Sequence, residues 1–193
     1  MKQEVFECDG YYHIYNRGNN FESIFIEERN YAYFLQLVAK YLLPIAEIYA
    51  YCLMKNHFHL VLKIKSEEEL SEKVRHKIHL PFSNLFNAYT KSINKYYGRS
   101  GSLFQEHLKR NKISDEEYLR KLILYTHLNP VKHGFVEDFR NYKHSSYNIY
   151  LSGYETKLER KFILSLFDGI KNFEEAHLLR QTEVLTMIEW YDE

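Results

Sequence analysis

Residues 45–64, IAEIYAYCLMKNHFHLVLKI, decide the fold. Two apolar runs rich in β-branched and aromatic residues are separated by Lys55-Asn56, and such a two-residue polar connector predicts a tight antiparallel hairpin. Side chains alternate across a strand, so His57 and His59 share one face of the second run while Phe58 takes the other. Along a strand this spacing puts two imidazoles ~7 Å apart, within reach of one ion if a third ligand comes from elsewhere. A His-x-His pair is also an ordinary occurrence in a chain with ten histidines.

Working outward, residues 11–18 (YYHIYNRG) read as a strand that ends in the turn-prone run Asn16-Arg17-Gly18-Asn19-Asn20. Tyr31, Phe34, Leu35, Val38, Tyr41 and Leu42 have the spacing of one helix face, and Pro44 ends that helix. Residues 66–80 have helical spacing at Leu70, Val74 and Ile78. Residues 81–98 are framed as a helix by Pro81 and Gly98. Residues 101–113, GSLFQEHLKRNKI, alternate weakly and read as a fourth strand. Residues 114–130, SDEEYLRKLILYTHLNP, carry the clearest helix signature: Ser114 as N-cap, Glu117 completing a capping box, a core stripe at Leu119, Leu122, Ile123 and Thr126, and Pro130 as the stop. Helical spacing returns at Phe162, Leu166 and Ile170, and again at Leu178, Leu185 and Ile188. The element order predicts an α+β fold with an antiparallel sheet and helices packed on one face. It divides the chain into residues 1–150 and an acidic helical extension, residues 151–193.

Composition narrows the function classes. Hydrophobic residues are 45% and charged residues 27%, the balance of a folded domain. The only cysteines, Cys8 and Cys52, suit neither a zinc ribbon nor a disulfide framework. No apolar run approaches the ~20 residues that span a bilayer, and the first residues have no apolar signal core, so a cytoplasmic protein is expected. Net charge is zero overall, but residues 155–193 hold nine acids against five bases. Residues 91–112 hold six bases and one acid among tyrosines and phenylalanines, a pattern that suits a phosphate backbone and equally a solvated helix and loop.

A third ligand is available from the capped helix. Tyr125 and Asn129 are spaced i, i+4 and therefore lie on one helix face. A phenol and a carboxamide oxygen beside two imidazoles would make a metal-assisted nucleophile, with Tyr125 attacking and Asn129 supplying an oxygen. The plain alternatives are a packing tyrosine and an Asn placed before proline for backbone reasons.

Four blocks in one order, YYHIYNRGNN, AYCLMKNHFHLVL, GSLFQEHLK and YTHLNPVKHGFV, resemble the HUH single-tyrosine transposases, most of all the REP-associated tyrosine transposases. The resemblance covers residues 11–150. It implies a ferredoxin-like fold, a divalent cation (Mg²⁺ or Mn²⁺) on His57 and His59, Tyr125 as nucleophile and Asn129 as third ligand. It implies single-stranded DNA as substrate, often hairpin-bearing, cleaved to a phosphotyrosine on one end and a free hydroxyl on the other. Arg17, Lys109 and Arg110 are candidate phosphate contacts, and the oligomeric state is left open between monomer and homodimer. Two other readings stay open: a non-catalytic DNA-binding regulator, and a metal nuclease in which water attacks.

Overall fold

The computed structural model describes residues 5–186. Its elements in order are β1 (Tyr11–Arg17), α1 (Glu28–Tyr41), β2 (Ala46–Met54), β3 (His57–Ile64), α2 (Glu72–Arg75), α3 (His79–Tyr97), β4 (Lys109–Ile113), α4 (Glu116–Lys132), α5 (Tyr147–Leu151), α6 (Arg160–Leu166) and α7 (Ile170–Thr186). The sheet order is β2-β3-β1-β4 and every neighbouring pair is antiparallel. This is the split βαβ arrangement of a ferredoxin-like α+β fold.

The β2–β3 hairpin turns at Lys55-Asn56 as its sequence predicts, and pairing continues from Met54↔His57 to Ala46↔Ile64. Gly18, just beyond β1, is packed so closely that a Cβ there would stand 2.0 Å from the Glu22 carbonyl oxygen. That position accepts only glycine. Gly98 closes α3 at φ 64, in the left-handed region.

The helices do not all pack on one face. Phe58, Leu60 and Leu62 of β3 join Phe34 and Val38 of α1 and Phe82 and Tyr89 of α3 in one cluster. Val61, together with Ile113 of β4, joins Leu119, Leu122 and Ile123 of α4 and Phe173 of α7 in a second. The cause lies in β3: its alternate side chains are apolar on both sides of the strand, so both faces need a cover. α6 and α7 belong to the second cluster through Ile163, Leu166 and Phe173, so residues beyond 150 help to build the core around the sheet. Ile188 lies outside the described residues.

Four local expectations shift. Asp115, not Ser114, caps α4 by accepting from the Tyr118 amide at 2.8 Å, while Ser114 donates to the Asp115 carboxylate. Both residue types can cap, and the one whose carboxylate is held by its neighbour takes the position. Pro130 does not stop α4, which runs on to Lys132, and the His133 amide still donates to Asn129 O at 3.0 Å. Proline removes its own N–H but leaves the next bonds intact. Of residues 66–80, Glu72–Arg75 form the single turn α2 and His79 and Leu80 already begin α3, and the fourth strand shrinks to β4.

A buried polar relay fixes α4 and α7 to the sheet. The Tyr51 amide donates to Ser146 Oγ (2.9 Å), and Ser146 lies 2.7 Å from His127 Nε2. His127 Nδ1 meets His177 Nε2 at 2.9 Å, and His177 Nδ1 donates to the Phe173 carbonyl at 2.7 Å. That last acceptor fixes the proton on His177 Nδ1, and the chain then satisfies every imidazole nitrogen with both rings neutral. Burial holds His177 down to about 3 and His127 well below its ordinary value. In the unfolded chain both titrate near 6.5, so the unfolded state binds more protons as pH falls below 6.5. Stability is therefore full above that pH and lost toward the folded-state values, by about 1.4 kcal/mol per group for each pH unit. Thermal melts should show a midpoint falling by more than about 10 °C between pH 7 and 5. The fall should be shallower in His177→Gln, and a flat profile in the wild type would contradict this account.

Candidate functional site

β1, β3 and α4 converge on one side of the sheet. Tyr15 stands opposite His59, and Arg17 opposite His57. His13, two residues before Tyr15, reaches diagonally to His59, its Nε2 lying 2.9 Å from His59 Nδ1. From above, α4 lays Tyr125 against His59, with ring centroids 5.6 Å apart, and His133 lies against His57 at 4.8 Å. Asn129 lies one helical turn after Tyr125 and one before His133, the C-cap of α4. The His57 and His59 rings are 5.4 Å apart. The structure thus brings Tyr125, His57 and His59 together, and Asn129 follows Tyr125 one turn along α4, its Nδ2 on the Tyr125 carbonyl.

The hydrogen bonds define which atoms are available. His57 Nδ1 lies 2.7 Å from Asn56 Oδ1, an oxygen that can only accept, so Nδ1 carries the proton. The other nitrogen, His57 Nε2, is buried and has no hydrogen-bond partner. Asn129 Nδ2 donates to the Tyr125 carbonyl at 3.1 Å, while Asn129 Oδ1 is buried and unpartnered. Leaving a buried acceptor unmatched costs ~1–3 kcal/mol, and here two are left, one on β3 and one on α4. Burial above all, then the charges of His133, Arg17 and Lys132, lowers His57 to about 3. Burial likewise pushes His59 well down and His13 to about 4. These imidazoles are neutral at pH 7, as ligand nitrogens must be.

Among the described residues, no three His, Cys, Asp or Glu side chains are gathered to hold a metal ion. The available donors are instead two imidazoles and one carboxamide oxygen. That set fits a divalent cation of intermediate hardness: the bare His57 Nε2 and Asn129 Oδ1 are lone pairs that nothing in the protein uses. Asn56 holds His57 Nδ1–H and His13 lies against His59 Nδ1, the kind of outer hydrogen bond that would orient imidazoles toward a metal ion. His13→Ala should lower Mn²⁺ affinity by about 10–100-fold, read by calorimetry. Unchanged affinity would remove His13 from this role.

Of the candidate phosphate contacts, two reach this side. Arg17 shares the His57 register, and its guanidinium lies 5.7 Å from the Phe21 ring centroid. Lys109 Nζ lies 5.5 Å over the Tyr15 ring. Arg110 faces the opposite side of the sheet, 4.5 Å over the Phe6 ring. Sequence reading missed His13, His133 and Lys132, whose Nζ lies 5.4 Å over the Tyr125 ring. The signal for His133 was its i+4 spacing from Asn129. For His13 it was the shared parity with Tyr15.

No helix among the described residues is long and apolar enough to cross a membrane. No protein-family model matches this chain, and no curated protein matches it by sequence. Among solved structures, a REP-associated tyrosine transposase bound to a REP hairpin is similar at 15% identity, with a TM-score of 0.60 over 81% of this chain and 88% of that one, and the two share a fold.

Proposed function

We propose that this protein cleaves and rejoins single-stranded DNA through a covalent phosphotyrosine at Tyr125, assisted by a divalent cation. The observation that carries the reading is the pair of buried, unpartnered acceptors, His57 Nε2 and Asn129 Oδ1, beside a half-buried tyrosine. The likeness to a transposase bound to a DNA hairpin supports the substrate class.

His57, His59 and Asn129 would hold the cation. When bound, it supplies positive charge that offsets the charge building on the scissile phosphate. The protein's own groups do the rest. The Tyr125 hydroxyl oxygen bonds to phosphorus as the phosphorus–oxygen bond to one sugar breaks. The phenolic proton is released, and the departing sugar oxygen gains a proton to become a free hydroxyl. The Lys132 ammonium lies 5.4 Å over the Tyr125 ring, a cation on the same side as the reacting phenol. Because the ester keeps the bond energy, attack by a new hydroxyl rejoins the strand without a nucleoside triphosphate.

The test is incubation with end-labelled single-stranded DNA, hairpin-bearing and plain, plus Mn²⁺, followed by a denaturing gel. A labelled band at protein mass is expected. Cleavage without such a band would favour water as the nucleophile, and binding with neither would favour a non-catalytic DNA-binding role. Asn129→Ala should keep the adduct at a rate reduced by about tenfold or more, since water can fill a vacated ligand position.

A further inference from the structure

We propose that Asn56 is a positioning residue of the cation site: it fixes the proton of His57 on Nδ1 and so presents Nε2 as a ready ligand. This inference rests on the cation reading above and gives the loop after β1 a part in it. A neutral imidazole has one N–H and one lone pair, and the hydrogen bond made by one nitrogen decides the role of the other. Left to itself in water, a neutral histidine side chain carries its proton mostly on Nε2, which then has no lone pair to give. The Asn56 carboxamide oxygen, 2.7 Å from His57 Nδ1, reverses that preference. The reversal leaves Nε2 as a bare acceptor inside the protein, where no protein group uses it.

The turn itself does not call for asparagine. Two-residue hairpin turns favour Asn where φ is positive, and neither Lys55 nor Asn56 has a positive φ. What the turn does have is a fixed backbone. The Gly18 amide donates to Asn56 O at 2.8 Å, and the Ile24 and Phe25 amides donate to Lys55 O at 2.9 and 3.0 Å. The segment that makes these bonds is anchored in turn. Ile24 and Phe25 are buried in the first core cluster, and Gly18 lies so close to the Glu22 carbonyl that no side chain fits there. The Asn56 side chain therefore starts from a held backbone, and its oxygen stays at the imidazole, as a group that orients a ligand must. The blocks YYHIYNRGNN and AYCLMKNHFHLVL meet at this contact: the first supplies Gly18, which holds the turn, and the second carries the turn and both imidazoles.

Long-range proton–nitrogen NMR of metal-free protein, isotopically labelled on the imidazole nitrogens, reads the tautomer directly, with the His57 signals identified by their loss in His57→Ala. In wild type, His57 Nδ1 should show the shift of a protonated nitrogen and Nε2 that of a bare one. In Asn56→Ala the two tautomers should mix, and calorimetric titration should find Mn²⁺ bound about 10–100-fold more weakly. Asn56→Asp keeps an oxygen that only accepts, so it should retain the wild-type tautomer and bind Mn²⁺ at least as tightly as wild type. This rescue separates positioning from a general loss of structure. A His57 proton on Nε2 in wild type would overturn the inference without need of any variant. An Asn56→Ala protein with wild-type tautomer and affinity, or an Asn56→Asp protein as weak as Asn56→Ala, would overturn it as well. If wild type and Asn56→Ala differ in tautomer as expected but no Mn²⁺ binds to either, the role of Asn56 in fixing His57 is upheld and the cation reading falls.

Discussion

Tyr125→Phe is expected to lose DNA cleavage and the covalent adduct together, by about a thousandfold or more. Deleting a nucleophile outright costs on that scale because no positioned group replaces it. The substitution removes one hydroxyl from a half-buried ring and keeps the edge-on contacts with His59 and His13, at centroid distances of 5.6 and 6.0 Å. Stability should fall by at most ~1–2 kcal/mol. Metal binding should be unchanged, since the proposed ligands are His57, His59 and Asn129. Thermal melts and Mn²⁺ titration of the same preparation separate a chemical defect from a folding defect. An adduct that persists in Tyr125→Phe would assign the chemistry to another tyrosine. Tyr118 is the nearest rival on α4, but it lies seven residues earlier, ~10 Å along the helix.

The second large effect is thermodynamic and needs no DNA. A ligand at one hundred times its dissociation constant stabilises a fold by about 2.7 kcal/mol. For a chain of 193 residues that is roughly 5–10 °C in melting temperature. Saturating Mn²⁺ should raise the wild-type midpoint by that amount, and His57→Ala with His59→Ala should abolish the rise. The metal-free double variant should be less stable than wild type, because losing the buried His59 ring leaves His13 Nε2 without its 2.9 Å partner, so each protein's Mn²⁺ rise is read against its own metal-free midpoint. Mn²⁺ should act at lower concentration than Mg²⁺, as imidazole donors prefer the softer ion. An equal Mn²⁺ rise in the double variant would place the ion elsewhere.

The hairpin and the helix spanning Tyr125 were legible because each carries a local signal: a two-residue polar connector between apolar runs, and a 3.6-residue stripe behind a cap. The side of the sheet that α4 covers was not legible from its own stripe, which says only that one helix face is buried. The clue was in β3, where Leu60 and Val61 point opposite ways and both are fully buried, as happens only when both faces are covered. β4 was harder, because an edge strand with four polar residues in five gives little alternation to read. His57 and His59 were found because one strand carries both. His13 was not, since its partner His59 is 46 residues away and only β1–β3 pairing joins them. Asp115 and Ser114 are both competent caps, and side-chain geometry, not residue type, chose between them.

The central claim is a covalent bond from DNA to one tyrosine, and peptide mapping of the trapped adduct tests it most directly. Trypsin releases residues 122–132, LILYTHLNPVK, with Tyr125 as its single tyrosine, while Tyr118 falls in residues 113–120. After reaction with single-stranded DNA and Mn²⁺ and digestion by nuclease and trypsin, fragmentation of the modified peptide should place a nucleotide remnant on Tyr125. A remnant on Tyr118 or any other tyrosine, or no remnant in a sample that has cleaved its DNA, would contradict the account.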